Sequence, residues 1–389
     1  MMKRLLLGTA TALVAATGAQ AADLPVAPAV DYVRICDTFG TGFFYIPGTE
    51  TCLRLSGRVR FDLRFAEETG GEQAEVSMRA RARLNVDTRT QTAYGALRAF
   101  MRIEFTDDSA PEGALGAADS LSEYQAFIQF VGFTFGRTNS FFDFYTGYSP
   151  YRAIGIIADD NQTLLAAYTA SFGNGVTATL SIEDGTDTRM TAGGFVYGGH
   201  IIPDVVAAIR VRQGWGSAQV MAALHEVDAS SAIGFGRDPE YGFAVGAGVT
   251  VNLPMVGVGS EFSLQAAYAD GALSYLGLGN VGVLPAATDA AIVAGSIDTS
   301  TGYSVAAGLL LGLTDMISVA IEGDYADVDN AGTTADFNIM QVRGALYYRP
   351  VSGLTFAAYV GYSTWDVDGA AANVDDDRVE AIFRVQRDW

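Results

Sequence analysis

From about residue 53 to the terminal Trp389 the chain alternates apolar and polar residues with a period of two, hairpin after hairpin, and no apolar run is long enough to be a membrane helix. In the clearest stretch Leu53, Leu55, Val59, Phe61, Leu63 and Phe65 alternate with Arg54, Ser56, Arg58, Arg60, Asp62 and Arg64. The next stretch answers it, with Val76, Met78, Ala80, Ala82, Leu84 and Val86 set against Ser77, Arg79, Arg81, Arg83, Asn85 and Asp87. In lipid every backbone N–H and C=O must find a partner inside the protein, which only helices and closed barrels achieve. Strands that meet lipid must therefore close into a ring. The reading is an all-β transmembrane antiparallel barrel, its apolar set facing lipid or a neighbouring subunit and its polar set facing a lumen.

The pattern predicts strands at about 53–65, 76–87, 94–105, 122–130, 132–137, 162–172, 176–183, 204–213, 217–228, 241–253, 260–270, 301–313, 316–327, 337–349, 354–366 and 377–389. That makes sixteen, or eighteen if 184–203 or 271–300 holds a further hairpin. Asn174-Gly175 is the strongest kind of two-residue hairpin signal. Short turns and long segments take turns along the chain, as expected for a barrel with brief periplasmic turns and extended external loops.

Met1 to Ala21 reads as a cleaved signal peptide: Lys3 and Arg4, an apolar core from Leu5 to Ala16, then Ala19-Gln20-Ala21. The core falls short of the roughly 20 residues a membrane helix needs. Residues 22–389 then form a single barrel domain, which grows around its circumference and so escapes the usual size limit of one core. Losing Lys3 and Arg4 from the 24 cations leaves 22, all arginine, against 44 Asp+Glu, a net charge of −22. Such acidity argues against nucleic-acid partners. The 45 Gly, 22 Phe and 18 Tyr suit tight turns and aromatic girdles. Trp215, Trp365, Trp389, Tyr347 and Tyr348 fall near predicted strand ends and read as girdle residues. Cys36 and Cys52 form an even pair in an exported chain, which favours a disulfide over two free thiols. No histidine lies near them and no metal or cofactor site is legible. The acidic clusters Asp107-Asp108 and Asp375-Asp376-Asp377 could bind divalent cations beside outer-membrane lipid and lipopolysaccharide, and read more simply as solvated loop.

The stretch Tyr32-Val33-Arg34-Ile35-Cys36-Asp37, followed by Gly42 through Leu53, resembles the N-terminal signature of the general porins of alphaproteobacteria. Ala22-Asp23-Leu24-Pro25 fits as well, as does Phe133-Thr134-Phe135-Gly136-Arg137-Thr138 with Ser140-Phe141-Phe142-Asp143. The resemblance implies a sixteen-stranded homotrimer in the outer membrane that forms a water-filled diffusion channel, with the third external loop folded into the lumen. It also implies a C-terminal assembly signal, here Phe383, Val385 and Trp389, which Arg387 interrupts.

Ten of the 22 arginines lie between Arg54 and Arg102. Arg58, Arg60, Arg64, Arg79, Arg81, Arg83, Arg98 and Arg102 share lumen parity on three neighbouring strands and form a basic wall whose charge does not titrate away. The third external loop carries Asp143, Asp159 and Asp160, with Tyr145, Tyr148 and Tyr151 to pack it. Wall and loop face to face would set a transverse field across a constriction for small hydrophilic solutes and ions. The plainer alternative pairs the arginines with Asp62, Asp87 and Glu104 along the strands and leaves the loop outside. Glu183, Glu261, Glu322, Asp324 and Glu380 read most simply as solvated barrel interior. Acidic mouths favour cations and the arginine neck opposes them. A solute-specific channel is the nearest rival. An enzyme is not expected: His200 and His225 are the only histidines, and neither has a nucleophile and orienting group at recognisable spacing.

Overall fold

The computed structural model describes residues 34–66, 75–109, 120–149, 162–191, 195–230, 238–278, 287–368 and 376–389. The leader, residues 22–33, Tyr151, Asp159, Asp160 and Asp375 lie outside these ranges. Sixteen of the strands make one closed antiparallel ring. In chain order they are β2 (Thr51–Ala66), β3 (Glu75–Thr92), β4 (Gly95–Ser109), β5 (Ser120–Phe130), β6 (Phe133–Asn139), β7 (Gln162–Gly173), β8 (Val176–Glu183), β9 (Asp204–Gln213), β10 (Gly216–Val227), β11 (Glu240–Asn252), β12 (Glu261–Asp270), β15 (Thr301–Gly312), β16 (Ile317–Asp329), β17 (Phe337–Val351), β18 (Leu354–Val367) and β19 (Asp376–Asp388). Two-residue β1 (Phe44–Tyr45) adds to β2 at its periplasmic start. The ring closes where β19 pairs β2, from Glu380↔Ala66 to Asp388↔Arg58.

The segment 271–300 does hold a hairpin, β13 (Ala290–Val293) and β14 (Ser296–Thr299). It pairs only with itself, because β12 and β15 already pair directly from Asp270↔Thr301 and leave no slot in the wall. Sixteen strands is therefore the wall count. Asp107 and Asp108 are not loop: the β3–β4 ladder runs on to Met78↔Ser109 and carries both into β4.

Alternation decides which side chains meet lipid. Val59, Phe61, Leu63 and Phe65 on β2 are exposed on the outer face, while Arg60 and Asp62 between them are buried inward. The same rule corrects the girdle. Tyr347 and Tyr348 are adjacent on β17 and cannot share a face; Tyr348 is exposed outward and Tyr347 is buried inward. Trp365 is likewise buried inside, whereas Trp215 and Trp389 are exposed. On β19 the outward row includes exposed Phe383 and the terminal Trp389, whose backbone exchanges two hydrogen bonds with Gly57. Arg387 keeps its place in that row by donating from Nη1 to the Ser352 carbonyl in the next periplasmic turn, 2.7 Å away.

Cys36 and Cys52 are bonded, with Cα atoms 6.1 Å apart. Both sulfurs are buried with Phe43 under Phe39 and Tyr45, and Arg89 of β3 lies over the Phe43 ring. The bridge thus ties the residues before β2 to the periplasmic end of the lumen wall. Replacing both cysteines by serine is expected to cost about 3 kcal/mol locally, the chain-entropy figure for a loop of this size. Limited proteolysis should then cut between residues 36 and 52 first, with the far-ultraviolet strand spectrum unchanged.

Candidate pore and its lining

The arginines predicted for the wall lie together on the inner faces of β2, β3 and β4, because cross-strand register sets them side by side: Arg58 opposite Arg83, Arg60 opposite Arg81, and Asp62 opposite Arg79. Their carboxylate partners are interleaved in the same wall. Arg58 pairs with Asp388, Arg60 with Asp62, and Arg64 and Arg79 with Asp108. Arg81 and Arg83 share Glu104, and Arg98 shares Asp87 with Arg89. Arg102 donates from Nε to Asn85 Oδ1 at 2.9 Å. Behind them Arg384 of β19 holds Asp62 through two hydrogen bonds of 2.6 and 2.8 Å, both residues fully buried. Apart from Asp388 at the periplasmic end, which is more exposed than Arg58, each carboxylate sits deeper than the guanidiniums it serves: Asp108 is 3% exposed against 20% for Arg79, and Glu104 5% against 17% for Arg83. The surface that water meets is therefore rich in guanidinium.

Residues 140–149, which follow β6, run inside the barrel along the opposite wall. Gln219 of β10 donates to the carbonyls of Phe141, Phe142 and Asp143. Gln265 of β12 accepts from the Tyr145 N–H at 2.8 Å. Glu322 of β16 accepts from the Tyr145 hydroxyl at 2.8 Å and from the backbone N–H groups of Tyr148 and Ser149. Tyr347 of β17 donates its hydroxyl to the Tyr148 carbonyl. Burial first, and the Glu322 charge next, push the Tyr145 hydroxyl well above its ordinary range, so it stays a donor. Room for this crossing comes from small inward residues. A Cβ at Gly248 would run into the Phe144 ring, and one at Gly308 into the Tyr145 hydroxyl. The inward course and the pairing with Asp62, Asp87 and Glu104 thus occur together. Asp143 stands within electrostatic reach of Tyr275.

A second inward segment was not foreseen. Residues 271–278 after β12 are buried against inner faces at the external ends of β9–β12 and β15–β18. Leu273, Tyr275, Leu276 and Leu278 pack with inward Val206, Met221, Val328, Phe337, Ile339 and Trp365, and Tyr275 meets the Phe142 ring at 5.0 Å. Polar contacts lock it. Asp289, buried, accepts from the N–H groups of Met190 and Leu273 and from the Tyr197 hydroxyl. Burial raises its pKa, and the His225 charge opposes this. Tyr197 also meets His225, whose Nδ1 lies 2.7 Å from Asp204, and Asp204 accepts from Tyr275 and Thr188. This carboxylate–imidazole–phenol series is spent on joining loops 184–203 and 271–300 to the rim; His225 and Asp204 are buried. His200 meets Arg189 on the exposed side.

The five carboxylates read as solvated interior are mostly buried. Glu183 accepts from the Phe141 N–H, Glu322 anchors Tyr145, Asp324 pairs with Arg343, and Glu380 pairs with Arg378. Sequence alternation gives their inward direction but not the segments that cover them.

Comparison with known proteins bears on the whole ring. The family described as "Porin subfamily" matches residues 23–385. Porin Omp2b of Brucella canis is 39% identical over 249 residues, covering 58% of this chain and 66% of that protein, so the chain spans just under two thirds of that relative's length. Among solved structures, the outer membrane channel DcaP of Acinetobacter baumannii superposes with a TM-score of 0.71 at 18% identity, covering 89% of this chain and 99% of that one. An anion-selective porin from Comamonas acidovorans gives 0.56 at 11% identity, covering 87% and 100%. These two likenesses speak for the fold, and the family match speaks for more. With a family match over nearly its full length and a closed ring of sixteen strands, the chain belongs to the porin subfamily of outer-membrane β-barrels.

Proposed function

We propose that this barrel is a passive, water-filled channel for small hydrophilic solutes and ions, made after signal-peptide cleavage at Ala21 and assembled as a homotrimer. Its constriction lies between the arginines of β2–β4 and the inward segment 140–149, with Asp143, Asp159 and Asp160 as the acidic side of the neck. The observation that carries the reading is the exposure order within the wall: guanidiniums stand toward the lumen over carboxylates buried beneath them. In a low-dielectric neck such a charged wall acts on passing ions far more strongly than in open water. The short β6, seven residues long, makes a low wall beside β5 suited to contact with other copies. Phe383, Val385 and Trp389 serve as the assembly signal.

The test is reversal potential in a planar bilayer under a salt gradient. Replacing Arg79, Arg81 and Arg83 together by glutamine is expected to shift permeability toward cations several-fold, and most at low salt, where screening is weakest. An unchanged reversal potential at low salt would remove the wall from the neck.

One observation favours a solute-specific channel as the second reading. Phe100 and Phe127 stack at 5.1 Å on the lumen face of β4 and β5, with Arg98 over both rings. Conductance that saturates with one aromatic anion would favour it; a linear response to all such solutes favours the general channel.

A further inference from the structure

The eight-residue turn 253–260 between β11 and β12 is the longest of the periplasmic turns described and carries no charge. It reads Leu253-Pro254-Met255-Val256-Gly257-Val258-Gly259-Ser260. Met255 is 89% and Val258 87% exposed, and Val256 is exposed beside them. Other turns on this side carry Asn174-Gly175, Thr314-Asp315 and Ser352-Gly353, and the apolar Val131-Gly132 is only two residues long. The exposure is not slackness. Leu253 N–H donates to the Ser260 carbonyl, Val256 N–H to Leu253, and Ser260 N–H to Gly257, at 2.8, 3.0 and 3.1 Å. Ser260 Oγ accepts from Gly312 N–H at 3.0 Å, which fixes the turn against the end of β15.

The apolar surface does not stop there. Leu313 and Met316 are exposed in the neighbouring β15–β16 turn, and Trp215 in the β9–β10 turn. Together with the tip they make an apron along the lower rim of β10–β16. Above it the outward row of β11 leads from Phe243 through Val245, Val249 and Val251 to Leu253. At about 3.4 Å per residue and a tilt near 40°, that row spans roughly 25 Å, the full height of a barrel's apolar band. The band is complete at Leu253, and the tip lies beyond it, at headgroup level.

The geometry points to this apron being a membrane-interface anchor: the 253–260 tip lies in the periplasmic leaflet, its Met255, Val256 and Val258 side chains among the first acyl carbons of phospholipid. Continuity with the lipid-facing rows names the occupant. An apolar surface at the headgroup boundary meets acyl chains without any further partner, as interfacial amphipathic segments do. A rigid tip at that depth would also hold this side of the barrel at a fixed height, the task that aromatic girdles perform elsewhere on the rim.

The test uses the full chain reconstituted in phosphatidylethanolamine–phosphatidylglycerol vesicles. Its two native cysteines are bonded to each other, so a single Met255→Cys takes one nitroxide label. Collision with dissolved oxygen reports lipid, and collision with a water-soluble nickel chelate reports water. Val249→Cys is the lipid control and Ser352→Cys the aqueous control. The Met255 label is expected to favour oxygen over nickel at least several-fold more than the Ser352 label does. Equality with Ser352 would overturn the anchor. Shielding from both reagents would overturn it too, in favour of contact with a second copy. Val258→Cys repeats the measurement should Met255→Cys fold poorly. The Val249 control reads lipid in any inserted barrel, so failure of the anchor stays separate from failure of the channel reading.

Discussion

Glu322→Ala is expected to raise single-channel conductance substantially, by about half or more, and to make the open level noisy. The residue gathers most of the hydrogen bonds at the far end of the inward segment: the Tyr145 hydroxyl and the N–H groups of Tyr148 and Ser149 all converge on its carboxylate, while Tyr347 and Ser263 meet Tyr148 at its carbonyl and hydroxyl. Hydrogen bonds to a charged acceptor are worth about 1.5–3 kcal/mol each, and three that share one acceptor fall together. The variant leaves those donors facing a gap beside Tyr148, which packs against the inner wall of β16–β19. Gln219 and Gln265 keep 140–145 seated, and beyond Tyr145 the Tyr148 contacts to Tyr347 and Ser263 are what remains among the described residues, so 146–149 gain freedom about that one tether. Asp324 still pairs with Arg343, which loses only its longer 3.9 Å pairing with Glu322. Tyr145→Phe removes a single donor and should change conductance much less. Planar-bilayer recording reads both, and heat-modifiable gel mobility checks that each barrel is folded. An unchanged conductance in Glu322→Ala would mean that the Tyr347 and Ser263 contacts to Tyr148, with Phe144 and Tyr145 seated over Gly248 and Gly308, suffice to hold the segment.

Most of the wall was legible because a barrel strand writes its two faces into alternate residues. β8 and β9 match the predicted limits to the residue, and the other strands differ by a few residues at their ends. The disulfide was legible from composition and compartment. What alternation cannot carry is what enters the barrel. A lumen position is expected to be polar, yet Val206, Ala208, Met221, Ala223, Ala267, Ala269, Phe337 and Ile339 are inward and apolar. The signal was present in runs such as Val205-Val206-Ala207-Ala208, which are apolar on both faces. A barrel strand greasy on both sides has lipid outside and protein, not water, inside. Glu322 shows the converse limit. Its parity was read correctly, but its partners lie 173 to 177 residues away in the chain, and no local pattern reports a contact at that distance. The arginine wall stands between these cases: alternation puts its members on one face, while the depth of Asp108 and Glu104 beneath them depends on how the folded wall packs.

The second inward segment carries the other large expectation. Leu276→Asp should expel residues 271–278 from the barrel at neutral pH, widen the external vestibule and expose a new protease site within 271–300. Leu276 is fully buried in one cluster with Val328, and both side chains lie against Gly302 of β15. Losing a buried leucine costs about 2–5 kcal/mol, and burying an unpaired carboxylate adds several more. Against this the segment keeps the Leu273 N–H to Asp289 bond and the Tyr275 hydroxyl to Asp204 bond, each worth about 1.5–3 kcal/mol. The burial of Leu273, Tyr275 and Leu278 also opposes release, so the buried charge is what tips the balance. The effect has a pH sign. An aspartate forced among apolar groups has its pKa raised in the packed state, so packing recovers as pH falls through that raised value and is lost again as pH rises. Conductance of the variant should therefore drop toward the parent value on acidification from pH 8 to pH 4, against a flatter parent. Cleavage by an added protease should fall over the same range when corrected for the protease's own profile. If the variant's conductance matches the parent at both ends, residues 271–278 do not bound the water path, and the path lies wholly along β2–β8.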